Sequence, residues 1–151
     1  KGISVGVPIC EDIWHEGVCS SLVRSGAEIL LCPNGSPYWR DKQQQRFHLV
    51  ARQVAQTGVP LLYLNQVGGQ DELVFDGASF GIEPGGKRVF QGRSFMPDLV
   101  LSDWERRSEG WRCSRGETVP MVSAEEAPWR AAVPSRAAIH TSRRASENCR
   151  C

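Results

Sequence analysis

The sequence predicts an α/β fold whose second part is mainly β. Three observations carry this: a strand, helix, strand succession over residues 3–32, an amphipathic helix that stops at Gly58, and a hairpin signal at Pro84-Gly85-Gly86. Residues 3–9 are apolar, small or β-branched and give way to the polar Cys10-Glu11-Asp12, so they read as a buried strand with Cys10 where it stops. A short helix follows over 16–25, closed by Gly26, and 27–32 is a second apolar strand. Pro33-Asn34-Gly35-Ser36-Pro37 is expected to be loop, because proline fixes φ and removes a donor.

From a Gln-rich start, Phe47, Val50, Ala51, Val54 and Ala55 recur at helical spacing up to Gly58. Residues 59–65 give a third strand and 66–71 the loop that leaves it. Residues 78–83 and 87–91 are the arms of the hairpin, and 99–103 supply one further strand. Asn65, Asp76 and Gly77 read as loop scaffolding, with Gly68-Gly69 and Asp76-Gly77 suited to positive φ. After Trp104 no hydrophobic period lasts: 105–129 is expected to be a weakly ordered extension, and the Arg, Ser and Ala rich stretch 130–151 a linker or disordered tail.

The 151 residues are 40% hydrophobic and 23% charged with five Trp, a globular composition, and the formal net charge of +1 gives no electrostatic footprint for nucleic acid or an anionic membrane. A small molecule or a protein is the default partner. No run reaches the roughly 18 apolar residues of a membrane helix, and the first residues lack a secretory pattern, so a cytoplasmic protein is expected. Six cysteines, at positions 10, 19, 32, 113, 149 and 151, show neither a disulfide scaffold nor zinc knuckles and are expected to be reduced, Cys19 and Cys32 packing as small hydrophobes. His15, His48 and His140 share no ligand spacing, so no metal is expected.

A thiol at a strand end, on a turn into a helix, is held at the sheet edge where it can attack a carbonyl carbon, and backbone N–H groups after the turn can face the oxyanion. Cys10 has that position, although spacing alone leaves a structural cysteine open. Asp12 reads as a capping or turn-stabilising residue, Trp14 as packing beneath the turn, and Lys42, taken alone, as a solvated helix-start charge.

Gly6-Val7-Pro8-Ile9-Cys10-Glu11-Asp12-Ile13-Trp14 resembles the nucleophile motif of the nitrilase superfamily, a strand-end cysteine followed by an acidic and then an aromatic residue. The long run from Leu64-Asn65-Gln66-Val67-Gly68-Gly69 to Asp76-Gly77-Ala78-Ser79-Phe80 is similar to the glutaminase domains of glutamine-dependent NAD synthetases, and Asn34-Gly35-Ser36-Pro37 with Lys42 resembles the loop that holds glutamine there. The resemblance implies that residues 1–104 are a partial carbon-nitrogen hydrolase (glutaminase) domain, the C-terminal half of a four-layer αββα sandwich. It makes Cys10 the nucleophile, gives the Glu11 N–H to the oxyanion, and places Ser36 and Lys42 on the backbone groups of L-glutamine. The family's glutamate base and lysine lie well upstream of its cysteine, whereas Cys10 has nine residues before it. The chain alone is therefore expected to be inactive, with apolar sheet surface left open. The same resemblance implies no cofactor in this fragment, a synthetase domain of the same protein using ATP with Mg to amidate nicotinate adenine dinucleotide, and a homo-oligomer at full length. A free-standing amidase of the superfamily and a non-catalytic truncated product are the alternatives.

Overall fold

In the computed structural model of the protein, residues 2–119 are described. The chain runs β1 (Val5–Gly6), a 3-10 turn (Cys10–Trp14), α1 (Glu16–Arg24), β2 (Ile29–Asn34), α2 (Lys42–Thr57), β3 (Leu61–Asn65), β4 (Val67–Gln70), β5 (Leu73–Asp76), β6 (Phe80–Ile82), β7 (Arg88–Gln91), β8 (Leu99–Arg107) and β9 (Gly110–Val119). The main sheet has the order β1-β2-β3-β6-β7, its first three strands parallel and its last two antiparallel, while β4-β5 and β8-β9 are separate two-stranded ribbons.

Alternation along the strands decides which face is covered. Leu30 and Cys32 of β2, Leu61 and Tyr63 of β3, and Phe80 and Ile82 of β6 point to the helices and pack with Ile13, Cys19, Leu49, Val50 and Val54. Gly58 ends α2 in a left-handed conformation, φ 70°, its N–H donating to the Val54 carbonyl at 2.8 Å. The opposite face of the sheet carries Val5, Val7, Leu31 and Leu64, the last 61% exposed. With Phe90, Met96 and Leu99 this face bounds a hollow of about 530 Å³. One helix layer on one sheet layer is half of the αββα stack that the resemblance implies, and the apolar sheet face is open as expected.

The structure departs from the sequence reading in four places. The first strand pairs only over Val5–Gly6, short of residues 3–9. Strand β2 continues through Pro33 and Asn34, which the sequence reading left to a loop. Here β1 ends opposite Leu30, and residues 30 and 34 direct their ladder bonds to β3, so the missing donor of Pro33 falls on the side where no strand is paired. The expected loop 66–71 is instead the strand β4, paired with β5; its Gly68 and Gly69 sit opposite Phe75 and Val74, where only backbone is needed. Residues 105–119, expected to be weakly ordered, continue β8 and form β9. That ribbon is mostly solvated on both sides, which is why no apolar period marks it, and Trp111 is its buried side chain. The expected tail 130–151 and residues 120–129 lie outside the described residues.

Gly6 lies against α1. A Cβ added there would meet Leu30 Cδ2 at 2.7 Å, Ala27 Cβ at 3.0 Å and Leu22 Cβ at 3.2 Å. Gly6→Ala is expected to destabilise the fold by about 1–3 kcal/mol in urea titration; an unchanged midpoint contradicts this packing. Burial pushes the Cys32 thiol up to about 11 and the Tyr63 phenol up to about 12. The unfolded chain releases these protons first, near 9.0 and 10.0, so their contribution is full below pH 9.0 and is lost as pH rises to about 12. The urea midpoint should fall through that window, with Cys32→Ala flattening its lower part; a level profile contradicts the burial.

Candidate functional site

The carboxyl ends of the three parallel strands lie on one edge, the usual position of ligand sites in open α/β sheets. Strand β1 leads to Cys10, β2 to Ser36 and β3 to Asn65. Cys10 is half-buried and left-handed, φ 51°, a conformation costing a side-chain-bearing residue about 1–2 kcal/mol. The turn is held by Asp12, whose N–H donates to the Ile9 carbonyl at 3.0 Å while its carboxylate accepts the Ile9 N–H at 2.8 Å. Asp12 thus has the turn-stabilising place expected of it. The Glu11 N–H precedes the first hydrogen bond of this 3-10 turn, which the Asp12 N–H makes. From α2 the buried Gln53 donates to the Ile13 carbonyl at 2.6 Å, tying the turn to the helix.

Ser36 is fixed by a buried polar network. Arg46, 2% exposed, donates Nη1 to Asp76 Oδ1 at 2.7 Å, Nε to Ser36 Oγ at 3.1 Å, and Nη2 to the carbonyls of Ser36 at 2.7 Å and Pro37 at 3.1 Å. Asp76, 0% exposed, also accepts from Asn65 Nδ2 at 3.4 Å and Gln43 Nε2 at 3.3 Å. Asn65 Oδ1 takes the Ser36 N–H at 2.9 Å. The Ser36 hydroxyl accepts from Arg46 and also interacts with the Tyr63 phenol, where it acts against the upward push of burial.

Lys42, the first residue of α2, is 5% exposed. Its Nζ lies 3.4 Å from the Trp39 ring centroid and 4.9 Å from that of Trp14. Burial is the main force lowering its pKa and Arg46 adds to it, while Glu11 and Cys10 act in the opposite direction. Two readings are corrected here. Lys42 is a buried cation rather than a solvated one, and Trp14 is a half-exposed ring beside that cation rather than packing beneath the turn.

The structure therefore brings Cys10, Glu11 and Lys42 into mutual electrostatic range and places Ser36 through Arg46, one helical turn from Lys42. Arg46, Gln43 and Trp39 were not singled out by the sequence, and Asp76 and Asn65 were read as loop scaffolding. A signal for Arg46 exists: stepping back by four from Val54 and Val50 along the buried stripe reaches Arg46 and then Lys42, and Gln53 belongs to the same stripe, whereas Ala55 is exposed. Among the described residues no three metal-ligating side chains converge.

The thiol of Cys10 on its left-handed turn, with the buried Lys42 ammonium in electrostatic range, thus lies past the carboxyl end of a parallel strand, where open α/β sheets hold their ligand sites. The chain belongs to the carbon-nitrogen hydrolase family, whose pattern matches residues 1–107. The glutamine-dependent NAD(+) synthetase of Rhodobacter capsulatus is 45% identical over 131 residues, covering 87% of this chain and 24% of that protein. The protein of the same name from Xanthomonas campestris pv. campestris (strain 8004) is 53% identical over 104 residues, 69% of this chain and 19% of that one. Among solved structures, the glutamine-dependent NAD+ synthetase from Acinetobacter baumannii in complex with ADP superposes with a TM-score of 0.67 at 34% identity, covering 79% of this chain and 22% of the other. An amidase from Nesterenkonia sp. gives 0.55 at 24% identity over 61% of this chain and 34% of its own, which shows the shared fold. The chain spans about 24% of the length of the first of these relatives.

Asp76→Ala would leave Arg46 buried and unpaired, and is expected to cost about 3–5 kcal/mol in urea titration. The double variant Arg46→Met/Asp76→Leu should recover much of that loss, since it removes both charges. A single variant within about 1 kcal/mol of the parent contradicts the network's role.

Proposed function

We propose that this chain supplies the nucleophile and part of the substrate pocket of a glutamine-hydrolysing domain. The observation that carries the reading is the half-buried Cys10 on its left-handed turn, within electrostatic range of Lys42. In the proposed reaction Cys10 Sγ bonds to the side-chain amide carbon of L-glutamine, with the Glu11 N–H donating to the oxygen as it becomes negative. The C–N bond then breaks, the nitrogen takes a proton and leaves as ammonia, and a thioester remains. Water adds to the thioester carbon, releasing glutamate and restoring the thiol. Ser36 and Lys42 hold the amino acid end of the substrate, Lys42 pairing with the α-carboxylate as a point charge.

The names of the relatives, glutamine-dependent NAD(+) synthetases, support a use for the ammonia in NAD synthesis. The proposal extends this to an ATP-dependent amidation of nicotinate adenine dinucleotide to NAD in a synthetase portion of a longer protein, cytoplasmic and homo-oligomeric when whole. ATP and its magnesium are assigned to that portion.

Among the described residues no side chain is assigned as the general base for the proton transfers, and a missing base lowers such rates by about 10²–10⁴. The isolated chain is therefore expected to release negligible ammonia from L-glutamine. A glutamine-shaped chloroketone should nonetheless alkylate Cys10 well ahead of the buried Cys19 and Cys32, and L-glutamine should slow the labelling, as read by peptide mass spectrometry. Equal labelling of these thiols, or no protection by L-glutamine, contradicts the proposal.

A further inference from the structure

Lys42 occupies a poor electrostatic position for a lysine. As the first residue of α2 it stands at the positive end of the helix dipole, and Arg46, one turn on, adds a second cation on the same buried stripe. Among the described residues no carboxylate lies within ion-pair distance of it; Glu11 attracts it from farther off. What faces the ammonium is aromatic: Trp39 with its centroid at 3.4 Å and Trp14 at 4.9 Å. The two rings come from separate segments, one closing the 3-10 turn that begins with Cys10, the other three residues before Lys42, where the Lys42 N–H donates to the Trp39 carbonyl at 3.1 Å. They are 44% and 47% exposed, so neither serves chiefly to fill the core.

Ring faces attract a cation without neutralising it. A carboxylate in the same place would cancel the charge and leave nothing for a ligand. The rings also displace water, and a cation stripped of water gains more from an arriving anion than a hydrated one does.

We infer that Trp39 and Trp14 are positioning residues that hold Lys42 Nζ as a preset cation without an ion-pair partner for the carboxylate of the substrate, so that the site selects amides carrying a carboxylate over amides that lack one. This rests on the reading of the site as a glutamine pocket. The selection comes from the unfavourable placement itself, because a neutral amide leaves the buried ammonium with no anion at ion-pair distance and only the more distant attraction of Glu11.

The test compares binding of L-glutamine with that of 4-aminobutanamide, which is glutamine without its carboxylate, by calorimetry on the full 151-residue chain. The parent chain should prefer L-glutamine. Trp39→Leu should weaken L-glutamine about tenfold, the size of a partly desolvated cation–π contact, and leave 4-aminobutanamide unchanged. Trp39→Phe, which keeps a ring face, should retain most of the preference. The inference is overturned if Trp39→Leu keeps the parental preference, or if it weakens both ligands equally, the mark of a merely structural ring. Failure of the parent chain to bind L-glutamine overturns the glutamine reading as well, and so is distinguishable from failure of the ring clamp alone.

Discussion

The ion pair between Arg46 and Asp76 is the interaction on which the strand-end edge depends. Two charges 2.7 Å apart at 2% and 0% exposure have given up their hydration, and their mutual attraction offsets that only if the remaining donors and lone pairs are also satisfied. Here they are engaged: Arg46 reaches the Ser36 hydroxyl and two loop carbonyls, while Asp76 takes the amides of Asn65 and Gln43. The pair therefore joins α2, the loop after β2, the end of β3 and the end of β5 at a single point. Lys42 stands one turn from Arg46 on the same helix, so the geometry of the cation follows from that of the buried pair.

Backbone strain is distributed around this point. Of the five described non-glycine residues with positive φ, Cys10, Asp41, Ala78 and Phe95 belong here, while Asp71 turns the chain between β4 and β5. Cys10 carries the thiol, Asp41 precedes Lys42, Ala78 follows Asp76-Gly77, and the Phe95 N–H donates to the Asp76 carbonyl at 2.9 Å. Each costs of order 1–2 kcal/mol and persists because the neighbouring hydrogen bonds over-determine it. Strain at the thiol, at the cation and on both sides of the buried carboxylate is what a set of groups held for chemistry would show, and it contrasts with the unstrained alternation of β2 and β3 behind them.

Much of the fold was legible because it rests on burial. The helices ending at Gly26 and Gly58, the strand ending before Cys10 and the hairpin at Pro84-Gly85-Gly86 are written in apolar spacing and positive-φ glycines. The ribbon β4-β5, the part of β8 beyond Asp103 and β9 were not legible, because strands that are mostly solvated need little more than backbone pairing and leave no periodic trace. In the site, Cys10 and the turn role of Asp12 were readable from the end of an apolar run. Arg46 was readable only as a place on the buried stripe of α2 and its pairing with Asp76 was not, because a single sequence does not distinguish a buried charged pair from two solvated charges thirty residues apart. The aromatic setting of Lys42 depends on Trp14 and Trp39 meeting in space, which chain order does not reveal.

The most direct measurement is a crystal structure of the chain after reaction with the glutamine-shaped chloroketone. The account expects one adduct, bonded to Cys10 Sγ, with its carboxylate about 3 Å from Lys42 Nζ between the two tryptophan rings. An adduct on another cysteine, or a carboxylate turned away from Lys42, would contradict it.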